Sequence, residues 1–282
     1  MDEISVLLKK EKAIQLAMRI IAVFAFAGGF VIWAMLKNAV IGMLVIFVGF
    51  IIMTILAFRG QRIQKQAKAT YQNGFLKNAL AGILPRYDYI EKMENPDVNC
   101  FYQYGLLSNF NHVSVSEMLQ VQYPEGSLSS MNVHFELVYH SYEMNKQRRR
   151  EVYWGRVLML VTKKNFVGET YITYKRNRYV PENPHRLSYS FNHPELDSCY
   201  NLSATNSQVL AELLDVDTIN LLLELAPLRP IICIKNKVVC VAIHTENRIL
   251  NYDYKVGFES HTEYVKIQRD MDRERRIMNI LH

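Results

Sequence analysis

The sequence predicts an α+β protein in which an N-terminal two-helix transmembrane hairpin precedes a cytoplasmic domain with a mainly antiparallel sheet and flanking helices. Two uncharged apolar runs near the N-terminus predict the hairpin. Alternating apolar residues, beginning after residue 100, predict strands, and capping residues with helical periodicity predict the later helices. We expect four parts: a cytoplasmic segment at 1–19, the hairpin at 20–58, a basic helical connector at 59–85, and the α+β domain at 86–282, which ends in an amphipathic helix.

The two apolar runs have the length of membrane spans. Residues 20–36 and 39–58 carry no charged side chain. As helices they would reach roughly 26 to 30 Å, close to the hydrocarbon thickness of a bilayer. A cleaved signal peptide fits less well, because Arg19 leaves only residues 20–24 as an apolar stretch ahead of the small-residue triplet Ala25-Phe26-Ala27. A buried hairpin in a soluble core is also disfavoured, because neither run has a polar face.

The distribution of Lys and Arg predicts that both termini are cytoplasmic. Cationic residues close to a span are retained on the cytoplasmic side during insertion. The turn between the runs has only Lys37, beside Asn38. Eight cations flank the outer ends of the runs: Lys9, Lys10, Lys12, Arg19, Arg59, Arg62, Lys65 and Lys68. The chain is therefore expected to be an integral membrane protein with two spans and with everything after residue 58 in the cytoplasm.

Two groups of cations are candidates for contact with anionic lipid. Arg59 and Arg62 follow the second apolar run, at the level of the headgroups. The second group lies at the predicted tip of a β-hairpin and consists of Lys146, Arg148, Arg149 and Arg150. The alternatives are a positive-inside flank for the first group and a solvated, aggregation-blocking edge for the second. The net charge of +6 is too modest and diffuse to indicate nucleic acid as a partner.

Three strands are predicted to form an antiparallel meander. Residues 132–143 alternate between apolar and polar side chains, which is typical of a half-buried strand. Residues 151–161 are apolar on both faces and are expected at the centre of the sheet. Residues 166–174 are expected to pair next, across a short turn at 163–165.

A long loop and a capped helical region are predicted to follow. Residues 175–194 are polar and interrupted by proline, with a short strand at 187–191. Asn206 or Ser207 is expected to cap a helix, and Asp217 its continuation. Proline at 227 and 230 is expected to end it.

The cysteine pattern depends on the strands predicted near the C-terminus. Residues 231–243 read as a hairpin that turns at Asn236-Lys237, which would place Cys233 opposite Cys240, and a further strand is predicted at 248–255. Such a pair could form a disulfide in an oxidising compartment. Buried thiols that act as small hydrophobic side chains are favoured, because the neighbouring residues are apolar and no metal-binding spacing occurs.

The last predicted helix combines an apolar stripe with many charges. It is expected to begin with a capping box formed by Ser260 and Glu263. The stripe consists of Tyr264, Ile267, Met271, Met278 and Leu281. The charged residues, Glu274 among them, are expected on a solvated face. Pairing with a partner helix is the alternative, although Glu274 stands where a coiled coil would require an apolar residue.

Few residues indicate a catalytic or metal-binding site. No nucleotide-binding, serine-hydrolase or zinc-protease motif occurs in the chain, so enzymatic activity is less expected, and no cofactor is indicated. His134 and Glu136 share a strand face and could supply two metal ligands, but ordinary polar residues on a wet face explain them better. The long loop brings further titratable residues together in the sequence: His185, His193, Glu182, Glu195 and Asp197.

Several short motifs carry a family resemblance. They are Tyr153-Trp154-Gly155, Phe166-x-Gly168-x-Thr170, His193-Pro194-Glu195-Leu196, Tyr200-Asn201-Leu202-Ser203 and Leu213-Leu214. With these motifs the chain resembles, over nearly its whole length, a bacterial family of two-span membrane proteins known as domain of unknown function 3137. Leu196 stands where that family usually has an aromatic residue, and Asn206 where it usually has an acidic one. The resemblance implies the fold and the membrane arrangement and assigns no catalytic residue.

These observations predict a membrane-anchored protein whose cytoplasmic domain is a binding or scaffold module for a protein or lipid partner. The alternative is a membrane-bound enzyme with a site near the loop at 175–197. Transport by a single copy is disfavoured, because the spans carry no charge. Small residues such as Ala25, Gly29, Gly42 and Gly49 would permit close approach between helices.

Overall fold

The computed structural model describes residues 3–36, 39–124, 126–141, 146–175, 181, 183–245, 250 and 258–281. The fold is α+β, as predicted, with two long apolar N-terminal helices and an antiparallel sheet. The chain forms two compact units. The first comprises Met1–Leu80 and Tyr252–Lys266, and the second comprises Ala81–Asn251 and Ile267–His282.

Two helices of the first unit are long and apolar enough to cross a membrane. Helix α1 spans Glu3–Leu36 and α2 spans Ala39–Thr70. A π-helical turn at Tyr71–Leu76 and helix α3 at Lys77–Ile83 follow α2 without a break. Only 11% of the residues in each apolar window are buried by protein, so most of the apolar surface of the two helices is left uncovered by the described residues. This exposure supports a location in the membrane.

Small residues allow α1 and α2 to pack closely. A Cβ atom added to Gly29 would lie 2.6 Å from Ile46 Cγ1, and one added to Gly42 would lie 2.7 Å from the Gly29 carbonyl oxygen. A Cβ atom at Gly49 would clash with Ala25 Cβ. The small residues noted in the sequence therefore serve the contact within this hairpin.

The second unit contains a seven-stranded antiparallel sheet. Its strands are β1 (Tyr87–Met93), β2 (His112–Gln122), β3 (Gly126–Ser141), β4 (Lys146–Tyr174), β5 (Leu187–Tyr189), β6 (Tyr200–Ala204) and β7 (Ile231–His244). The order is β1-β2-β3-β4-β6-β5, and β7 pairs with β4. Strand β4 is central, as predicted for 151–161, because it pairs with β3, β6 and β7.

Five helices complete the described chain: α4 (Val98–Gln103), α5 (Pro194–Cys199), α6 (Ser207–Leu213), α7 (Val216–Leu225) and α8 (Ser260–Leu281). Two apolar clusters form in the second unit. One joins α5, α6, α7 and the end of α8 to β4, β6 and β7. The other joins α4 and the segment after it to β2, β3, β4 and β7.

Two turns predicted within the sheet are wrong. Strand β4 runs through 163–165, where a turn was expected, and β7 runs through Asn236-Lys237. A bulge replaces each turn, because the two long strands pair with each other on both sides of the bend. Cys233 therefore pairs with Tyr171 and Cys240 with Met159, so the two cysteines are not opposite one another.

Other local predictions differ in part from the structure. Residues after 97 form helix α4, whose N-cap Asp97 accepts from the Asn99 backbone N–H, instead of a strand. Strands β1, β2 and β6 and helix α5 were not identified from the sequence. In β2, the alternation is interrupted by a register shift at residues 116–119, where Glu117 has a φ of 45°. The strand predicted at 248–255 lies outside the described residues, apart from Leu250.

The helix caps are confirmed at one position and corrected at two others. Asn206 caps α6 by accepting from the Gln208 backbone N–H, as predicted. Asp215, and not Asp217, caps α7. Helix α8 has its first helical bond from the Glu263 N–H to the Glu259 carbonyl, and the Glu263 carboxylate accepts from the Tyr71 hydroxyl at 3.0 Å. The predicted capping box at Ser260 is therefore wrong.

Candidate functional site

The predicted basic tip lies on a two-stranded ribbon of the second unit. We use "the ribbon" for residues 137–141 of β3 and 146–150 of β4. Strand β2 pairs with β3 only as far as Glu136, and β7 pairs with β4 only from Gly155 onward. Among the described residues, no third strand therefore accompanies the ribbon.

The cations of the ribbon divide between its two faces. Residues paired directly across an antiparallel ladder share a face. Leu137 pairs with Arg150, Tyr139 with Arg148, and Ser141 with Lys146, so one face collects three cations, a leucine and a tyrosine. All four cations are exposed, and Tyr139 is 43% exposed.

Arg149 belongs to the other face and has a partner there. Its Nη1 lies 3.2 Å from Glu136 Oε2. Arg149 is therefore partly neutralised by this carboxylate, and Lys146, Arg148 and Arg150 lie together on the opposite face.

The other predicted lipid contacts lie in the first unit. Arg59 and Arg62 are exposed on α2, immediately after the apolar run. They are three residues apart and therefore lie close to one another on the helix surface.

The polar residues proposed as metal ligands on β3 are engaged separately. His134 Nε2 lies 3.0 Å from Glu151 Oε2 on the neighbouring strand. Glu136 Oε2 contacts Arg149 and lies 3.7 Å from His112 Nε2. No group of three His, Cys, Asp or Glu side chains that could hold a metal ion occurs among the described residues.

The loop before α5 uses its acidic residue to fix the backbone. The Asp197 carboxylate accepts from the Ser190 hydroxyl and from the Phe191 backbone N–H, each at 2.8 Å. These bonds lower the pKa of the Asp197 carboxyl, the Phe191 N–H being the main cause. The Asp197 N–H in turn donates to the carbonyl of His193, the N-cap of α5. Glu182 lies outside the described residues.

Tyr171 and Arg186 form a second polar group near this loop, and it too stabilises the fold. The Tyr171 hydroxyl donates to the Leu106 carbonyl, and the Arg186 guanidinium lies 4.5 Å from the centre of the Tyr171 ring. Burial raises the pKa of Tyr171 well above its ordinary value and that of the nearby Cys233 thiol to about 12. Both groups therefore stay protonated at neutral pH and are poorly suited to act as a base or nucleophile. Cys233 and Cys240 are buried thiols, as favoured from the sequence.

A buried ion pair was missed in the sequence. Arg156 on β4 is fully buried, and its Nε lies 3.0 Å from Glu274 Oε1 on α8 and 2.8 Å from Ser130 Oγ. Its Nη1 donates to the Glu117 carbonyl at 2.8 Å. The placement of Glu274 on a solvated face is therefore wrong: it is 2% exposed, because its charge is compensated inside the unit. An arginine in an otherwise apolar strand and an acid in an apolar stripe were the available signals.

Two open cavities of about 480 and 540 Å³ lie beside residues 81–85. The first is lined by both Arg86 and Asp88, and the second by both Asp272 and Arg275. Because opposite charges are present in each, the lining indicates no particular charge class of ligand.

Comparisons with known proteins add one structural likeness. No family model matches the chain, and no curated protein matches it. The crystal structure of the mycobacterial trehalose monomycolate transport factor A, TtfA, aligns with a TM-score of 0.44 and 11% sequence identity, over 74% of this chain and 93% of that chain. A likeness at this level does not indicate a shared function.

Proposed function

We propose that this chain is a membrane-anchored binding module whose second unit contacts anionic lipid headgroups through the ribbon. Helices α1 and α2 form the anchor, and both termini and the second unit are cytoplasmic. The observation that carries the proposal is the ribbon face on which Lys146, Arg148 and Arg150 accompany Tyr139. The excess of cations at the outer ends of the two spans supports the orientation.

The chemistry of that face suits a phospholipid surface. Each Lys or Arg near an anionic leaflet contributes on the order of 1 kcal/mol. The planar guanidinium groups of Arg148 and Arg150 can donate two hydrogen bonds to one phosphate. Tyrosine is enriched at the membrane–water interface because its ring is apolar and its hydroxyl can be hydrated. The alternative function, a solvated edge that blocks aggregation, explains the charges of the ribbon but does not explain the exposed Tyr139.

A membrane-bound enzyme with a site near 175–197 has less support. Asp197 and His193 hold the start of α5 through backbone hydrogen bonds. Tyr171 and Cys233 remain protonated at neutral pH. The described part of this region thus favours a structural role for its titratable groups.

The lipid contact is tested with the full-length protein in nanodiscs of phosphatidylcholine, with or without phosphatidylglycerol. A fluorescent donor is attached at Gln147→Cys in a background without the native cysteines, and an acceptor is attached to lipid headgroups. We expect stronger energy transfer with phosphatidylglycerol, and a decrease as salt is added, because salt screens exposed charges. A donor at Val216→Cys, a site that is 73% exposed, provides the reference.

Charge variants identify the residues responsible. The combined substitutions Lys146→Gln, Arg148→Gln and Arg150→Gln should abolish the gain in energy transfer. Arg149→Gln should have little effect, because Arg149 lies on the opposite face of the ribbon, beside Glu136. Equal transfer in both lipids, or an unchanged gain in the triple variant, would contradict the proposal.

A further inference from the structure

A second cluster of cations lies where β4 and β7 bend together. We use "the bend patch" for Lys163 and Lys164 on β4 and for Lys235 and Lys237 on β7. All four side chains are exposed. None of them belongs to the ribbon, and 12 residues of β4 lie between Arg150 and Lys163.

The bulge in the paired strands creates the cluster. Val161 pairs with Val238 and Phe166 with Asn236, so residues 162–165 of β4 oppose the single residue Lys237 of β7. Asn236 has a φ of 56°, which bends β7 at the same place. The extra residues of β4 must project from the sheet, and Lys163 and Lys164 lie on this projection.

Apolar side chains and few acids accompany the lysines. Val161 is 46% exposed and Val167 is 66% exposed. The Lys164 ammonium lies 5.2 Å from the centre of the Phe166 ring. The described residues of the two strands between 161 and 169 and between 235 and 238 include one carboxylate, Glu169, against four lysines. Glu169 pairs with Lys235 across the ladder and accepts a hydrogen bond from Asn183 at 2.8 Å. The patch is therefore strongly cationic.

We propose that the bend patch is a docking surface for an acidic segment of a partner protein. Lys235 and Lys237 flank the bend of β7 at Asn236, and Lys163 and Lys164 lie on the projecting residues of β4. A segment that carries several carboxylates complements these four cations. Exposed Val161 and Val167 offer apolar contacts beside the lysines.

Side-chain chemistry favours a peptide over a lipid surface here. Lysine is a compact point charge that suits single carboxylates, whereas arginine suits bidentate contact with phosphate. Membrane-surface segments insert Trp, Phe or Leu side chains, and the aromatic residue beside the bend patch, Phe166, is only 5% exposed. The ribbon, with its arginines and exposed Tyr139, differs in both respects.

The test uses the full-length protein in nanodiscs of neutral phosphatidylcholine. The probe is a fluorescein-labelled peptide of alternating Glu and Val, and its binding is measured by fluorescence anisotropy. Replacing Lys163, Lys164, Lys235 and Lys237 by Gln should weaken binding about tenfold or more, since several exposed charge pairs of a few tenths of a kcal/mol each are lost. The matched control also removes four cations, by the substitutions Lys146→Gln, Arg148→Gln, Arg149→Gln and Arg150→Gln, and it should leave the affinity unchanged.

Charge reversal provides a second readout. Replacing Lys163, Lys164, Lys235 and Lys237 together by Glu should abolish binding of the acidic peptide and create binding of a peptide of alternating Lys and Val, which shows that the variant is folded. Unchanged binding in the fourfold Gln variant would overturn the proposal, as would equal losses in the ribbon control. A further outcome would overturn the proposal in favour of a lipid surface. This outcome is that the bend lysines bind phosphatidylglycerol and that peptide binding is lost in discs containing this lipid. The ribbon experiment is independent of each of these outcomes.

Discussion

Arg156 and Glu274 fix the position at which α8 docks on the sheet. Arg156 has no exposed surface, and it donates to Glu274, Ser130 and the Glu117 carbonyl. Removing two charges from water is costly, and their attraction compensates only when both remain in place. The pair therefore confers a specific docking geometry, and the loss of one member leaves an uncompensated buried charge.

We expect Glu274→Leu to destabilise the second unit by about 3–5 kcal/mol, the usual cost of leaving one buried charge unpaired. The double variant Arg156→Met with Glu274→Leu should regain most of this loss and remain about 1–2 kcal/mol below the native protein, because Ser130 and the Glu117 carbonyl lose their donor. Urea unfolding followed by Trp154 fluorescence measures both. Equal instability of the single and double variants would show that the charges are not coupled.

Asp197 makes the stability of the region before α5 depend on pH. Its pKa is lowered in the folded protein, chiefly by the Phe191 N–H and next by the Ser190 hydroxyl. The ionised carboxylate therefore stabilises the fold fully above the unfolded pKa, and the contribution is lost as pH falls through the lower, folded value.

Melting temperatures measured from neutral to acidic pH should show this loss. Asp197→Asn should remove this part of the pH dependence, and Ser190→Ala should reduce it, because one of the hydrogen bonds that lower the pKa is removed. If Asp197→Asn retained the native pH profile, the stabilising role of the ionised carboxylate would be refuted.

At the scale of elements, the helical hairpin depends on glycine at its internal contact. Gly49 faces Ala25, and Gly42 faces the Gly29 carbonyl and Trp33. Gly28 has no atom within 4 Å of the position of an added Cβ. Gly42 and Gly49 are therefore required for the contact between α1 and α2, whereas Gly28 lies away from this contact.

Gly49→Leu should destabilise the hairpin by about 1–3 kcal/mol, the usual cost of overpacking. Gly28→Leu should be neutral or slightly stabilising, because the space is open and leucine has the higher helix propensity. Thermal unfolding of the purified protein in detergent, followed by the helical circular dichroism signal, compares the two variants. Similar effects of the two substitutions would contradict the observed helix contact.

The sheet shows why single elements are harder to predict than fold class. The apolar content of 151–161 correctly placed this segment at the centre of the sheet, because burial on both faces leaves a direct sequence signal. The polar segments at 163–165 and 236–237 have the composition of turns, but long-range pairing between β4 and β7 converts them into bulges. Such pairing depends on residues 70 positions away, so local sequence cannot reveal it.

At the scale of the whole molecule, the apolar runs and the α+β pattern were sufficient to predict the architecture. They were not sufficient to identify the bend patch, because its lysines come from two separate strands. The Arg156–Glu274 pair was missed for the same reason, since 118 residues separate its members. The ribbon could be proposed from the sequence alone, because its four cations are nearly consecutive, although their division between two faces required the register.

The central claim is that the ribbon of a membrane-anchored protein contacts anionic headgroups. Hydrogen exchange by mass spectrometry tests it without labels, using the native full-length protein in nanodiscs with and without phosphatidylglycerol. We predict slower exchange at 137–141 and 146–150 when phosphatidylglycerol is present, with α1 and α2 protected equally in both lipids. Unchanged exchange in the ribbon, together with a lipid-dependent change elsewhere in the second unit, would contradict the account.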